Sequence, residues 1–141
     1  MVLAVVENVY GRIYFDTMRT SSASPRITQH DREGIRDAVV RACLETDATW
    51  QSIVLFGSRV DPRRLGGDID LLVMLDPSQP VDVYRFTQRL RIALEDRLGE
   101  QRIDVVVDDG RGDGLFPSLA RETGVELWSN TWRRCCNRSL R

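Results

Sequence analysis

Leu55-Phe56-Gly57-Ser58 closes one apolar run, and Asp68-Ile69-Asp70-Leu71-Leu72-Val73 opens another after nine intervening residues. Alternation along a strand puts residues two apart on the same face. Asp68 and Asp70 therefore point one way, and Ile69 and Leu71 the other. Two carboxylates roughly 7 Å apart on one face repel each other and are costly to half-bury unpaired. A divalent cation between them removes that cost. The stretch reads as a metal-binding strand beside a glycine turn of phosphate size.

Working outward, the flanking segments supply helices and further strands. Thr28 to Thr46 is helical: Thr28 is an N-cap with Asp31 three residues on, a variant of the capping box. Ile35, Val39, Ala42 and Cys43 follow at the spacing of one helix face, and Gly34 weakens the first turns. Ser52–Phe56 is a buried strand. Asp61-Pro62-Arg63-Arg64 and Gly66-Gly67 form a polar loop, and Ile69–Leu75 is a strand stopped by Asp76-Pro77. Pro80 to Leu98 is a second helix with a stripe of Val83, Phe86, Leu90, Leu94 and Leu98, closed by Gly99. Ile103–Val107 is a third strand, Phe116–Thr123 a short helix and Val125–Trp128 a last strand. The expected fold class is α/β (α+β), with one mixed sheet of about four to five strands and helices packed against it. The apolar runs around the paired acids place their strand at the centre of that sheet, buried on both faces.

Asp104 interrupts Ile103-Asp104-Val105-Val106-Val107, a segment that should be a buried strand. An acid inside a β-branched run breaks both propensity and burial rules, as functional positions tend to do. If this strand lies beside the Asp68-Asp70 strand, three carboxylates converge. Asp68 and Asp70 would hold the metal; Asp104 would complete the ligand set and take a proton from an attacking hydroxyl. Oxygen-only ligands favour Mg²⁺ or Mn²⁺ over zinc. Gly57 lets backbone approach a phosphate closely, and Ser58 offers it an N–H and a hydroxyl. Arg59 can brace a polyphosphate, with Arg63 and Arg64 reaching in from the loop. Metal and phosphate cradle together point to phosphoryl-group chemistry by in-line attack. The turn is not a P-loop, because no Gly-Lys-Ser/Thr follows.

Gly57-Ser58, the nine-residue spacing, Asp68-Ile69-Asp70 and the later Asp104 resemble the nucleotidyltransferase superfamily of DNA polymerase β. The chain is most similar to its small stand-alone members, the minimal nucleotidyltransferases, over about residues 28–128. Many of these are antitoxin-type partners of HEPN-domain ribonuclease toxins. The resemblance implies a palm-like mixed-sheet core and Mg²⁺-dependent transfer of a nucleoside monophosphate from ATP or another NTP to a hydroxyl, with release of pyrophosphate. It assigns the triphosphate to Gly57 and Ser58, metal binding to Asp68 and Asp70, and the roles of third acid, completing the metal site, and of base to Asp104. Arg59 and Gly67 are counted with the nucleotide-binding residues from their place beside the turn and the acids. In the antitoxin group the acceptor is a tyrosine of the partner toxin, modified with AMP. Many of those relatives place ten residues between Ser and the first Asp, where this chain has nine and carries Gly66-Gly67 before Asp68. Two alternatives stand beside this reading. One is a non-catalytic nucleotide- or partner-binding module that masks a toxin. The other is a small-molecule nucleotidyltransferase working with a separate substrate-binding subunit.

The 141 residues suffice for one domain. Expected divisions are an N-terminal extension or extra hairpin over 1–26, the nucleotidyltransferase domain over 27–128 and a basic tail over 129–141. A net charge of -1 gives no global attraction for nucleic acid or anionic membrane, so direct nucleic-acid binding is not expected. No run approaches the ~18 apolar residues of a membrane span. The start, Met1-Val-Leu-Ala-Val-Val6 followed by Glu7, is a poor signal peptide. Three cysteines without framework spacing fit a reducing compartment, and the expected location is cytoplasmic. Plainer readings apply elsewhere. Cys43 is a small core residue, His30 faces solvent in a first helical turn, and Arg59 can simply pair with Asp61. Asp108, Asp109 and Asp113 form a solvated turn without the twelve-residue pattern of a calcium loop.

Overall fold

A computed structural model describes the backbone of residues 6–8 and 11–13, and residues 25–64, 67–112 and 114–130 in full. Residues 1–5, 9–10, 14–24, Leu65, Gly66, Asp113 and 131–141, the last including Cys135 and Cys136 of the basic tail, lie outside the described residues. β1 (Val6–Asn8) and β2 (Gly11–Ile13) pair antiparallel as a small hairpin of their own.

Helix α1 (Gln29–Thr46) begins where the sequence places it. The Thr28 hydroxyl accepts from the Asp31 N–H at 3.0 Å, and the Asp31 carboxylate accepts in return from the Thr28 N–H at 3.4 Å. That reciprocal pair satisfies two donors that a helix start otherwise leaves open. Ile35, Val39, Ala42 and Cys43 are all buried, as their spacing requires. Gly34 does more than weaken a turn. It is buried against the second helix, and a Cβ there would come within 2.7 Å of Leu98 Cδ2. Its missing side chain lets the two helices close up.

β3 (Trp50–Phe56) runs into a 3₁₀ turn over Gly57–Val60, and β4 (Ile69–Leu75) follows the polar loop. Helix α2 (Val83–Leu98) starts three residues later than Pro80, because the Asp82 side chain caps it by accepting from the Arg85 N–H at 3.0 Å. β5 (Ile103–Asp108), α3 (Leu115–Thr123) and β6 (Val125–Ser129) complete the chain. The fold is a mixed α+β arrangement with a four-stranded sheet in the order β5-β4-β3-β6. β3 pairs antiparallel with both β4 and β6, while β4 and β5 are parallel because α2 carries the chain back between them.

The two faces of the sheet are unequal. α1 and α2 cover one, where Ile53, Leu55, Ile69, Leu71, Val73 and Leu75 meet Ile35, Val39, Phe86, Leu90 and Leu94. On the other, Val54, Leu72 and Met74 pack with Ala120 of α3, joined by Phe56 and Val106. β4 is central and buried on both faces, as the sequence predicts. β5 is not. It is the edge strand of the sheet, only Val105 in it is buried, and Asp104 is exposed. The premise that Asp104 breaks a buried run is therefore corrected: an acid on an edge strand facing water violates no burial rule.

Candidate active site

Register brings the acids together. Asp70 pairs with Asp104 across the parallel β4–β5 ladder, so the two side chains leave the same face from adjacent strands. The ladder is pinned at that end by the Ile69 N–H donating to the Arg102 carbonyl at 2.9 Å. Asp68 stands just ahead of β4 and is exposed, whereas Asp70 is half-buried. Burial raises the Asp70 carboxyl above its ordinary pKa, and the negative charges of Asp104 and then Asp68 push it further in the same direction. None of the described residues donates a hydrogen bond to any of the three. Asp70 alone is held half-buried beside two other negative charges, a cost that a nearby cation would offset. Oxygen donors of this kind fit a hard divalent cation, with Asp68, Asp70 and Asp104 as the side chains that would hold it. Among the described residues, no group of three or more His, Cys, Asp or Glu side chains is arranged so that it could hold a metal ion as it stands.

The glycine turn abuts this patch. Phe56 of β3 is the cross-strand partner of Asp70, so Gly57 leaves the sheet directly beside that carboxylate. Gly57 has φ +78°, and a Cβ on it would run into the Asp70 carboxylate. Both the left-handed backbone and the close approach demand glycine here. Ser58 follows in the 3₁₀ turn, half-buried, and no described residue takes its hydroxyl.

Arg59 is turned away from the role the sequence suggests for it. Its guanidinium donates to the Gly67 carbonyl at 2.8 Å and to the Arg26 carbonyl at 3.2 Å. Arg26 answers by donating its own N–H to the Arg59 carbonyl at 2.9 Å and its guanidinium to the Ser58 carbonyl at 3.4 Å. Together they tie the segment before α1, the Gly57-Ser58 turn and the residue preceding Asp68 into one unit. Nor does Arg59 pair with Asp61. Asp61 instead accepts from the Arg63 N–H at 2.9 Å and from its guanidinium at 3.4 Å, which holds its carboxyl below the usual range. Gly67 is exposed, and its part in this arrangement is its carbonyl.

Next to Gly57 lies an open cleft of about 370 Å³, bordered by Val60, Asp61, Pro62, Arg64 and Thr123. Arg64 thus reaches the neighbourhood of the turn, while Arg63 is folded onto Asp61. A second cleft of about 400 Å³ lies at the other end of β3, against Cys43, Thr49 and Trp50, remote from the three acids. Size does not select between them; none of the three acids lines either cleft, and Gly57 alone joins the first to them.

His30 is exposed and Cys43 is buried, as read from sequence; Asp108, which ends β5, and Asp109 are half-buried rather than solvated and accept from the Gly110 and Arg111 N–H groups. Sequence reasoning missed Arg26, Phe56 and Phe116. Phe56 could have been found: one residue before the glycine turn, it must share a face with the carboxylate opposite it. No local signal marks Arg26. Among the described residues, no helix is long and apolar enough to cross a membrane. The chain matches no model of a known protein family and no curated protein.

Proposed function

We propose that this chain is a divalent-metal-dependent nucleotidyltransferase of minimal type. The observation that carries the reading is the direct register of Asp70 with Asp104, with Asp68 two residues upstream and Gly57-Ser58 against the Asp70 carboxylate. Asp68 and Asp70 would hold Mg²⁺ or Mn²⁺, with Asp104 as third ligand. When bound, the cation supplies charge neutralisation for the carboxylates and for the phosphates of the donor nucleotide. Gly57 and Ser58 receive the triphosphate with backbone and hydroxyl donors, and Arg64 adds a cation at the cleft.

In the reaction, an acceptor hydroxyl oxygen attacks the α-phosphorus of the NTP. A new P–O bond forms, the bond to the β-phosphate oxygen breaks, and pyrophosphate leaves. The hydroxyl proton passes to Asp104. That residue is exposed on an edge strand, a position open to a bulky acceptor such as a side chain of another protein. With AMP as the transferred group and a tyrosine of a HEPN-type toxin as acceptor, the chain acts as the antitoxin of a two-component pair in the cytoplasm.

The test is the intact mass of any protein that co-purifies with the chain, before and after addition of Mg²⁺·ATP, for wild type and for Asp68→Asn/Asp70→Asn. We expect one added nucleoside monophosphate on the partner, abolished in the double variant. Full transfer by that variant would sink the proposal. A bound partner left unmodified with every NTP would replace it by the masking module, and transfer to a small molecule alone would replace the acceptor.

A further inference from the structure

Phe116 has no part in the chemistry just described, yet it stands beside it. The ring lies in the first turn of α3 and is 44% exposed. It meets Phe56 edge to face, with centroids 5.6 Å apart and planes at 81°. Phe56 is itself the direct cross-strand neighbour of Asp70, and such neighbours have Cβ atoms about 5 Å apart on the same face. An exposed aromatic ring is thereby held one side chain away from the central carboxylate, with Phe56 between them. Leu119, one turn on, is also exposed, so α3 turns an apolar side outward here and buries only Ala120. Large apolar side chains left at the surface beside a polar site mark a contact surface more often than a lapse of packing.

We propose that Phe116 is the base platform of the site: the nucleobase of the donor nucleotide stacks on its ring while the phosphates lie at Gly57-Ser58 and the carboxylates. This rests on the nucleotide reading above and adds to it where the base goes and what it is recognised by. Every base has a π-face, so stacking on one ring tolerates all four bases and discriminates weakly among them. No described hydrogen-bonding side chain is needed for it. The edge-to-face contact with Phe56 holds the ring, which lowers the cost of ordering it on binding.

The experiment is calorimetric binding of ATP and of tripolyphosphate, each with Mg²⁺, to the full chain. Wild type is compared with Phe116→Ala, with Phe116→Leu, which keeps an apolar contact on Phe56, and with Phe116→Trp. We expect both Ala and Leu to weaken ATP by roughly tenfold and to leave tripolyphosphate unchanged. Trp should restore ATP affinity, and CTP, GTP and UTP should follow ATP. Equal weakening of ATP and tripolyphosphate in the Leu variant would overturn the platform in favour of a packing role. Unchanged affinity for both would also overturn it and leave the apolar side of α3 as a protein contact. If wild type binds neither compound, the nucleotide reading fails and the platform with it. If it binds tripolyphosphate and Phe116 is irrelevant to ATP, only the platform fails.

Discussion

The two faces of β4 are built to opposite rules from alternate residues of one strand. Ile69, Leu71, Val73 and Leu75 turn toward α1 and α2 and are at most 1% exposed. Asp70, Leu72 and Met74 turn the other way, and there the apolar pair is preceded by a carboxylate at the strand's entry. The first face gains by excluding water from contiguous hydrocarbon. The second gives up some of that gain by holding Asp70 half-buried between two other acids. The contrast teaches that this protein isolates its costly groups at one end of one face, while the face covered by α1 and α2 carries most of the buried core. Changes on the first face should therefore unfold the protein, and changes at the acidic end should cost little of the fold while removing the proposed metal and nucleotide binding.

The largest stability effect is expected from the dry face. Leu71→Ala should cost about 3 kcal/mol in urea unfolding, because the side chain is fully buried in a central strand and its removal leaves a cavity. A loss under about 1 kcal/mol would break the division of labour between the faces. Next comes Gly57→Ala, which sets a Cβ in left-handed backbone and drives it toward the Asp70 carboxylate. Its backbone cost should be about 1–2 kcal/mol. Mg²⁺-dependent stabilisation, read as a shift in thermal midpoint, should be lost by more than that cost explains. Retention of a wild-type metal shift would separate Gly57 from the site.

The smallest effect has the opposite sign. In a metal chelator, Asp70→Asn should stabilise the protein at neutral pH by up to about 1 kcal/mol, since the residue is half-exposed and solvent screens it. The sign follows from linkage. The folded state raises the Asp70 carboxyl above its ordinary value of 3.8, so the fold favours the protonated form. The stability this group contributes is fully present below the unfolded value and is lost as pH rises through the folded one. Melts from about pH 4 to pH 7 should show the advantage of Asn growing with pH, and a constant difference would mean that Asp70 feels neither burial nor its neighbours.

Much of the fold was legible locally because its signals are local. The Thr28–Asp31 cap, the stripe from Phe86 to Leu98 and the strand between the Gly67 loop and Asp76-Pro77 each depend on residues a few positions apart. The expectation of a mixed sheet with helices on it is met. The start of α2 was misplaced because Pro80 is permissive for a helix start, while the Asp82 cap decides the matter. The candidate site was legible as a spacing, but Arg59 was not. Its chain length lets it point to a phosphate or to a carbonyl, and only the loop's path brings Gly67 and Arg26 within its reach.

By itself the sequence determined which way each side chain on β4 points, since a period of two leaves Asp70 no choice once Leu71 enters the core. It also determined that position 57 can turn where other residues cannot. The tertiary structure alone decided that β5 lies beside β4 in the register that sets Asp104 against Asp70, that β5 is an edge, and that α3 lays Phe116 on Phe56. The physical reason is one of range. Orientation along a strand is a property of neighbours in the chain, whereas strand partner, register and helix placement come from the burial shared by residues distant in sequence, for which no spacing can be read.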